Sequence, residues 1–340
     1  MGHTCESSAS IGAAAAPKRL DWLDIAKGIA IILVVTGHTI SPLSPLITPI
    51  FMFHMPLFFI LAGYTFKQKP FKVALVQSAR RLLVPYVLLF LVWQGINFLK
   101  EPDPTSIDTL VKYVCAFLFA SGSPNEDMGL AAVGMAWFLV CLFISRVMLG
   151  GLLALFKKGG IPLPAQAAVF AALCAAGALI GGSQRIFLPL DLDIALITVG
   201  LMWVGYLARE HGFMERWCAK WYVILIAIML FGAATSLSYL EFAMRAYGIM
   251  PLSILGALSG TLLTCWVSML IDRWGHALKR FLVFMGRNSL MIYCFHAIDW
   301  LVPWNSLAGL QHVPLRGIVT SAIRVAHAAL LTLLVKKVQA

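Results

Sequence analysis

The chain has 340 residues, of which 60% are hydrophobic and only 12% are charged, and its net charge is +11. Soluble domains carry about 25% charged residues, so this composition excludes an ordinary soluble protein and indicates a membrane protein. Most lysines and arginines lie in short turns between apolar runs, where they set topology and contact anionic lipid head groups, so we expect membrane lipids as partners and no nucleic acid.

The first residues are not predicted to be part of the membrane domain. Residues 1–17 are small and polar and are interpreted as a disordered leader, and the membrane domain is predicted to cover residues 18–338. The leader has no basic segment followed by a long apolar core. We therefore expect no cleaved signal peptide.

The rest of the chain predicts an all-α fold, a polytopic membrane bundle of about ten transmembrane helices. Sustained apolar runs recur along it with lengths near the roughly 20 residues that cross a bilayer as a helix. The predicted spans are 22–41, 48–66, 79–99, 131–155, 164–182, 190–208, 221–240, 250–271, 280–300 and 315–335.

Residues 109–120 form a further, weaker apolar run that is too short to cross easily, and we interpret it as re-entrant or interfacial. If it does not cross, the positive connections, such as those holding Arg80, Arg81, Lys157 and Lys158, share one side of the membrane. Positive connections face the cytoplasm, so we predict a protein of the cell inner (plasma) membrane with both termini cytoplasmic. The sequence shows no clear broken span and leaves a homo-oligomer open.

The first span carries ionisable residues, which are costly in hydrocarbon and mark candidate functional sites. Asp24 and Lys27 share a helix face near the inner boundary. His38 follows Lys27 by about three helical turns, or roughly 16 Å, so the two side chains point in nearly the same direction. A neutral histidine can remove a proton from a hydroxyl. We therefore predict that His38 is a general base and that Asp24 contributes to catalysis.

Two further histidines lie in apolar segments, His54 in the second span and His296 in the ninth. Both are expected in the outer half of the bilayer, at a depth similar to that of His38. We assign His296 to catalysis, and His54, Trp137 and Asp299 to acceptor binding. Each histidine could instead only pack and hydrogen-bond between helices. We expect no metal site, because Asp299 is the only carboxylate near these histidines in sequence.

A group of cations is predicted at the cytoplasmic ends of three spans. Arg80 and Arg81 open the third span, and Arg287 and Asn288 lie just inside the ninth. Together with Lys27 they predict a clamp for the phosphate groups of a donor, which arginine holds through paired hydrogen bonds. The alternative for the two arginines of the third span is topology anchoring.

The chain resembles the acyltransferase-3 family of integral membrane O-acyltransferases, and within it the fucose-4-O-acetylase-like branch. The family pattern of an arginine, ten intervening residues and a histidine reads Lys27-GIAIILVVTG-His38 here, with lysine in place of arginine. The other segments that carry the resemblance are DWLDIAKG (21–28), FHMPLFFILAGY (53–64), RLLVPY (81–86), AWFL (136–139) and GRNSLMIYCFH (286–296).

The resemblance implies an enzyme that moves an acyl group, usually acetyl, from acyl-CoA to a hydroxyl of a sugar, glycan or other polar acceptor. Acetyl-CoA is then a co-substrate, and no permanently bound cofactor is expected. His38 matches the family's essential histidine and Lys27 its donor-side arginine. A competing interpretation from another class is a transporter or flippase of a polar or lipid-linked glycan that uses the histidines as a proton relay.

Overall fold

A computed structural model of the chain describes residues 20–218, 220–302 and 316–339, so the predicted leader lies outside the described residues. Over these ranges the chain is helical and contains no β-strand, which confirms the predicted all-α fold. The helices are α1 (Asp21–Gly37), α2 (Ile47–Tyr64), α3 (Phe71–Phe98), α4 (Ile107–Phe119), α5 (Trp137–Gly159), α6 (Leu163–Gly182), α7 (Leu192–Glu210), α8 (Phe213–Trp217), α9 (Trp221–Leu237), α10 (Met250–Trp274), α11 (His276–Arg287), α12 (Ser289–Ile298) and α13 (Arg316–Gln339).

Every predicted span coincides with a helix or a bent helix pair. Among the described residues, seven helices are long and apolar enough to cross a membrane, and α11 with α12 raises the number to eight if the pair counts as one span. The predicted first and seventh spans correspond to α1 and α9, which have 17 residues each. That length is at the lower end of the range of about 17–25 residues for transmembrane helices.

The ninth predicted span is broken, which corrects the expectation of unbroken spans. α11 and α12 are bent by 70° relative to each other, and Asn288 lies between them. The Asn288 side chain donates a hydrogen bond to the carbonyl of Phe284 at 2.7 Å and so satisfies the backbone at the break. Irregular backbone at membrane depth occurs where it is buried in protein or lines a cavity. Arg287 is the last residue of α11 and lies directly before the break.

The additional apolar run lies in α4, which packs along the C-terminal half of α3. The Tyr86 hydroxyl of α3 donates to the Phe117 carbonyl of α4 at 2.7 Å. The chain then turns back, and the Gln94 side chain of α3 donates to the Ala132 carbonyl at 2.5 Å. A helix of 13 residues is about 20 Å long, shorter than the hydrocarbon core of about 30 Å. Its length is thus in keeping with the interpretation of this run as re-entrant or interfacial.

The two ends of the bundle are identified by contacts between α1 and α2. The rings of Trp22 and Tyr64 lie 5.4 Å apart at one end, and those of His38 and Phe51 lie 5.8 Å apart at the other. α1 and α2 therefore run antiparallel. We call the end at which α1 begins the Asp21 side, and the opposite end the His38 side.

Glycines bring α1 and α11 into direct backbone contact on the Asp21 side. A Cβ atom at Gly28 would overlap the carbonyl oxygen of Leu282, and one at Gly286 would overlap the carbonyl oxygen of Asp24. Small residues permit such close approach between membrane helices. The contact fixes the charged start of α1 against the end of α11, beside Arg287.

Candidate active site

One face of α1 lines two cavities in succession. Asp24, Lys27 and Ile31 line a cavity of about 740 Å³ on the Asp21 side. Val34 and His38 line a second cavity of about 30 Å³ on the His38 side. Residues three and four apart share a helix face, so these five side chains form one stripe. The sequence predicted that Lys27 and His38 share a helix face. In the structure this face is a wall common to both cavities.

The larger cavity is strongly basic. Asp24 is the one acidic side chain among its lining residues, and six cations line it: Lys27, Lys67, Lys69, Arg81, Arg146 and Arg287. Its volume falls within the range of about 300–1,000 Å³ that is usual for ligand sites. Lysine and arginine are the side chains that hold phosphate groups. We call this space the basic cavity; its charge and size suit a ligand with several phosphates.

The predicted donor residues divide into two groups. Lys27, Arg81 and Arg287 lie in the basic cavity. Arg80 is exposed and is not among the lining residues, and Asn288 is buried at the helix break with its amide on the Phe284 carbonyl. The structure therefore brings three of the five together and separates Arg80 from its sequence neighbour.

Arg287 is oriented by two carboxylates of α1. Its Nη2 lies 3.2 Å from Asp21 Oδ1, and its Nε lies 3.3 Å from Asp24 Oδ2. Lys279 also reaches Asp21, with Nζ 3.2 Å from Oδ2. Asp24 is thus at the opposite end of α1 from His38, about 21 Å along the axis at 1.5 Å per residue. The carboxyl that we assigned to catalysis lines the basic cavity and pairs with Arg287, one of the predicted donor residues.

The smaller cavity brings together three predicted residues. His38, His54 and Trp137 all line it, and we call it the histidine cavity. Its other lining residues are Val34, Phe51, Met55, Met135, Glu241, Phe242, Ala243 and Tyr293. Glu241 belongs to the connection between α9 and α10, which the sequence did not single out because it lies outside any apolar run.

The orientation of His54 is set by its own helix. Its Nδ1 lies 2.8 Å from the carbonyl oxygen of Ile50, and the side chain is 2% exposed. A carbonyl oxygen only accepts hydrogen bonds, so Nδ1 carries the proton. In the neutral ring Nε2 is then left with its lone pair, and it can accept a hydrogen bond from a hydroxyl.

His296 lies directly beside His38, so the structure brings the three predicted histidines to one place. The ring centroids of His38 and His296 are 5.8 Å apart. His296 is buried, and neither of its ring nitrogens has a hydrogen-bond partner among the described residues. Its Nδ1 lies 3.9 Å from Asp299 Oδ2. The described residues include no group of three or more histidine, cysteine or carboxylate side chains arranged to hold a metal ion.

Asp299 is paired and does not line the histidine cavity. Its Oδ2 accepts from Arg324 Nε at 2.6 Å, and its Oδ1 lies 3.0 Å from His327 Nδ1. Arg324 Nη1 also donates to Thr39 Oγ1 at 3.0 Å and approaches the His38 carbonyl at 3.5 Å. This network ties α13 to the end of α1 and fixes the backbone that carries His38.

Sequence reasoning missed three ionisable residues inside apolar segments. Arg146 lies within the fourth span, and Arg324 and His327 lie within the tenth. The criterion that identified His38 could also have found them, because a charged or titratable side chain in a membrane span is a candidate functional group.

Two side chains line both cavities and separate them. Met55 of α2 and Tyr293 of α12 belong to the walls of the basic cavity and of the histidine cavity. The Tyr293 hydroxyl donates a hydrogen bond to the Met135 carbonyl, which holds the ring in place. A ligand anchored in the basic cavity has to pass Met55 and Tyr293 to reach His38.

The fold and the cavities define a polytopic membrane protein in which a cavity lined by six cations lies next to a cavity lined by buried histidines. Residues 20–335 match the model of the acyltransferase-3 family, which is described as an acyltransferase domain. The chain therefore belongs to this family of membrane acyltransferases.

Curated relatives are similar over part of the chain. The chain is 28% identical over 232 residues to nodulation protein NolL of Mesorhizobium japonicum, a match that covers 61% of this chain and 54% of that relative. It is 33% identical over 137 residues to nodulation protein NolL of Sinorhizobium fredii, covering 36% of this chain and 33% of that relative. The matched segments thus span about half or less of the length of these relatives.

Proposed function

We propose that the protein is an integral membrane O-acyltransferase that moves an acyl group, in particular acetyl, from acyl-CoA to a hydroxyl of a sugar, glycan or other polar acceptor. The observation that carries this proposal is that one face of α1 joins the basic cavity to the histidine cavity. The first suits the phosphates of the donor, and the second suits proton removal from the acceptor.

The basic cavity binds the nucleotide end of the donor in this proposal. Its six cations neutralise the phosphates, and Asp24 holds Arg287 in position for them. The pantetheine arm then extends past Ile31 and Val34. Lys27 and His38 are separated by roughly 16 Å along the helix axis, a length comparable to an extended arm. Since acyl-CoA is supplied from the cytoplasm, the Asp21 side faces the cytoplasm, and the protein lies in the inner membrane.

The transfer itself takes place at His38. The imidazole removes the proton of the acceptor hydroxyl as the hydroxyl oxygen attacks the thioester carbonyl carbon. The carbon–sulfur bond then breaks, and the proton held on His38 passes to the leaving sulfur. The products are an ester and free CoA, with no other reactant needed. The acceptor approaches from the His38 side, beside His54 and Trp137.

A second candidate function is transport or flipping of a polar or lipid-linked glycan. The break between α11 and α12 favours it, because discontinuous helices line the substrate sites of many transporters. Such a protein would move the glycan without consuming acyl-CoA, so the two functions differ in whether the donor is cleaved.

The proposal is tested by following radiolabelled acetyl-CoA with purified protein in lipid nanodiscs. We expect release of free CoA that depends on added hydroxyl acceptors, with the label recovered as an ester. His38→Ala should lower this rate by a factor of about 10²–10⁴, the usual cost of removing a positioned base. His211→Ala, at an exposed histidine on the Asp21 side, is the matched control and should keep it. Intact acetyl-CoA after long incubation with the wild-type protein would contradict the proposal and favour transport.

A further inference from the structure

The connection between α9 and α10, residues 238–249, covers the histidine cavity and brings a carboxylate into it. Glu241 lines this cavity with His38, His54 and Trp137, and it is the one acidic residue among the lining residues. The nearby Asp299 is occupied by Arg324 and His327 instead. Glu241 is therefore the carboxylate that a ligand beside His38 would meet.

Glu241 is held in a rigid turn. Its backbone exchanges two hydrogen bonds with Ala246, at 2.8 and 3.0 Å. Between them Arg245 adopts a left-handed conformation with φ of 53° and is fully buried. Its guanidinium pairs with Asp191 at 2.8 Å and with Asp193 at 2.7 Å, at the start of α7. Breaking a buried ion pair is strongly destabilising, so this anchor fixes the position of Glu241 over the cavity.

One oxygen of Glu241 is free to receive a ligand. Oε2 accepts from the Tyr239 hydroxyl at 2.6 Å, and no described residue donates a hydrogen bond to Oε1. Burial raises the pKa of the Glu241 carboxyl, and the Tyr239 hydrogen bond opposes that change. A carboxylate only accepts hydrogen bonds, so its natural partner in this cavity is a hydroxyl donor.

Aromatic rings surround the same carboxylate. Phe51 and Trp137 line the cavity, and the rings of Phe51 and Tyr239 stack at 6.5 Å. An apolar wall with a few fixed polar groups is the usual form of a small-molecule site. Here the fixed groups are a carboxylate and imidazoles, set among aromatic side chains.

We propose that Glu241 binds a second hydroxyl of the acceptor, beside the one that is acylated, and restricts the enzyme to uncharged polyols such as neutral sugars. This inference rests on the proposed acyltransferase function. A uronic acid or sugar phosphate would bring a second negative charge close to a half-buried carboxylate, where like charges repel strongly. Repulsion of the wrong ligand is a common source of specificity.

The test compares neutral and acidic sugars that differ in one group. Methyl glycosides of glucose and galactose are compared with the matching methyl uronides, using radiolabelled acetyl-CoA and the purified protein in nanodiscs. The wild-type enzyme should show a kcat/KM for the neutral glycosides at least about tenfold above that for the uronides. Loss of a hydrogen bond to a charged group corresponds to about 10–100-fold in affinity. Glu241→Gln should therefore raise the KM for the neutral glycosides by about that factor and leave the KM for acetyl-CoA unchanged.

The preference for neutral over acidic sugars distinguishes a binding role of Glu241 from a purely structural one. Glu241→Gln should reduce the neutral-to-acidic ratio toward one, whereas Glu210→Gln, at an exposed glutamate ending α7, should leave it as in the wild type. Equal use of uronides by the wild type, an unchanged ratio in Glu241→Gln, or label on neither neutral glycoside would overturn the inference. Acetyl-CoA cleavage in those experiments would leave the acyltransferase proposal intact, and its complete absence would count against that proposal instead.

Discussion

His38 and His296 lie beside each other where α1 meets α12, with ring centroids 5.8 Å apart and ring planes inclined by 38°. The His296 ring is buried and has no hydrogen-bond partner among the described residues, and its Nδ1 lies 3.9 Å from Asp299 Oδ2. Unpaired polar atoms in a protein interior are costly and call for a functional explanation. We therefore predict that the two histidines, which lie on different helices, act as one proton-handling unit.

If the two histidines act as a unit, their effects should not add. His296→Ala should lower kcat by about tenfold or more, since positioned acid–base groups contribute about 10²–10⁴ in rate. In a His38→Ala background the same change should cost little more, as expected for residues that act together. The measurement is kcat for the wild type, both single variants and the double variant. Fully multiplicative losses would show that the histidines work independently.

Arg80 and Arg81 form a matched pair for testing the donor site, because only Arg81 lines the basic cavity. Arg81→Gln should raise the KM for acetyl-CoA by about tenfold, the loss expected for one charge-assisted contact to phosphate. Arg80→Gln should leave that KM unchanged. Neither substitution should change the KM for the acceptor. An unchanged donor KM in both variants would assign both arginines to topology anchoring, and an equal rise in both would show that lining the basic cavity does not distinguish them.

Met55 should limit the length of the acyl group. The histidine cavity offers about 30 Å³, and Met55 separates it from the basic cavity. One extra methylene in a tight pocket costs about 10–200-fold, so acetyl-CoA should be preferred over butyryl-CoA. Met55→Ala should reduce that preference by at least about tenfold on the same scale.

The matched control for this prediction is Met52→Ala. Met52 is also buried on α2 but lines neither cavity, so its loss should leave the chain-length preference unchanged. The measurement is the ratio of kcat/KM for the two donors in each variant. If Met55→Ala keeps the wild-type ratio, another part of the wall sets acyl length.

The backbone contact between α1 and α11 should be intolerant of a methyl group. A Cβ at Gly286 would overlap the Asp24 carbonyl, and forced overpacking costs about 1–3 kcal/mol. Gly286→Ala should therefore lower the thermal unfolding temperature in detergent. Gly95→Ala is the control, because its Cβ meets nothing within 4 Å and alanine favours the helix. A Gly286→Ala protein as stable as the wild type would mean that the two helices can separate at little cost.

The sequence predicted the spans and the α1 stripe because both follow from helical geometry. Lys27 and His38 share a face of any regular α-helix, because the helix has 3.6 residues per turn. Their alignment can therefore be predicted without knowledge of the tertiary structure. The place of His296 beside His38 was expected only as a similar depth in the membrane. The segment 286–289 is polar and does interrupt the apolar run, but this signal was interpreted only as part of a candidate donor site and the break at Asn288 was missed.

What the sequence could not supply was the assignment of charges to cavities. Arg80 and Arg81 are adjacent and chemically identical, and only the rotation of α3 about its axis separates them. Glu241 lies in a polar connection, and its place over the histidines depends on the Arg245 ion pairs with α7. These are long-range relations between helices, which local patterns do not contain.

We predict that the donor binds from the Asp21 side while the acceptor is modified at the His38 side. The direct measurement uses liposomes in which the protein has one orientation, with membrane-impermeant acetyl-CoA on the Asp21 side. An impermeant glycoside acceptor is supplied either on that same side or on the His38 side. We predict acetylation only when the acceptor is on the His38 side, and no reaction when acetyl-CoA is moved there instead. Acetylation with both reactants on the Asp21 side alone would contradict this account.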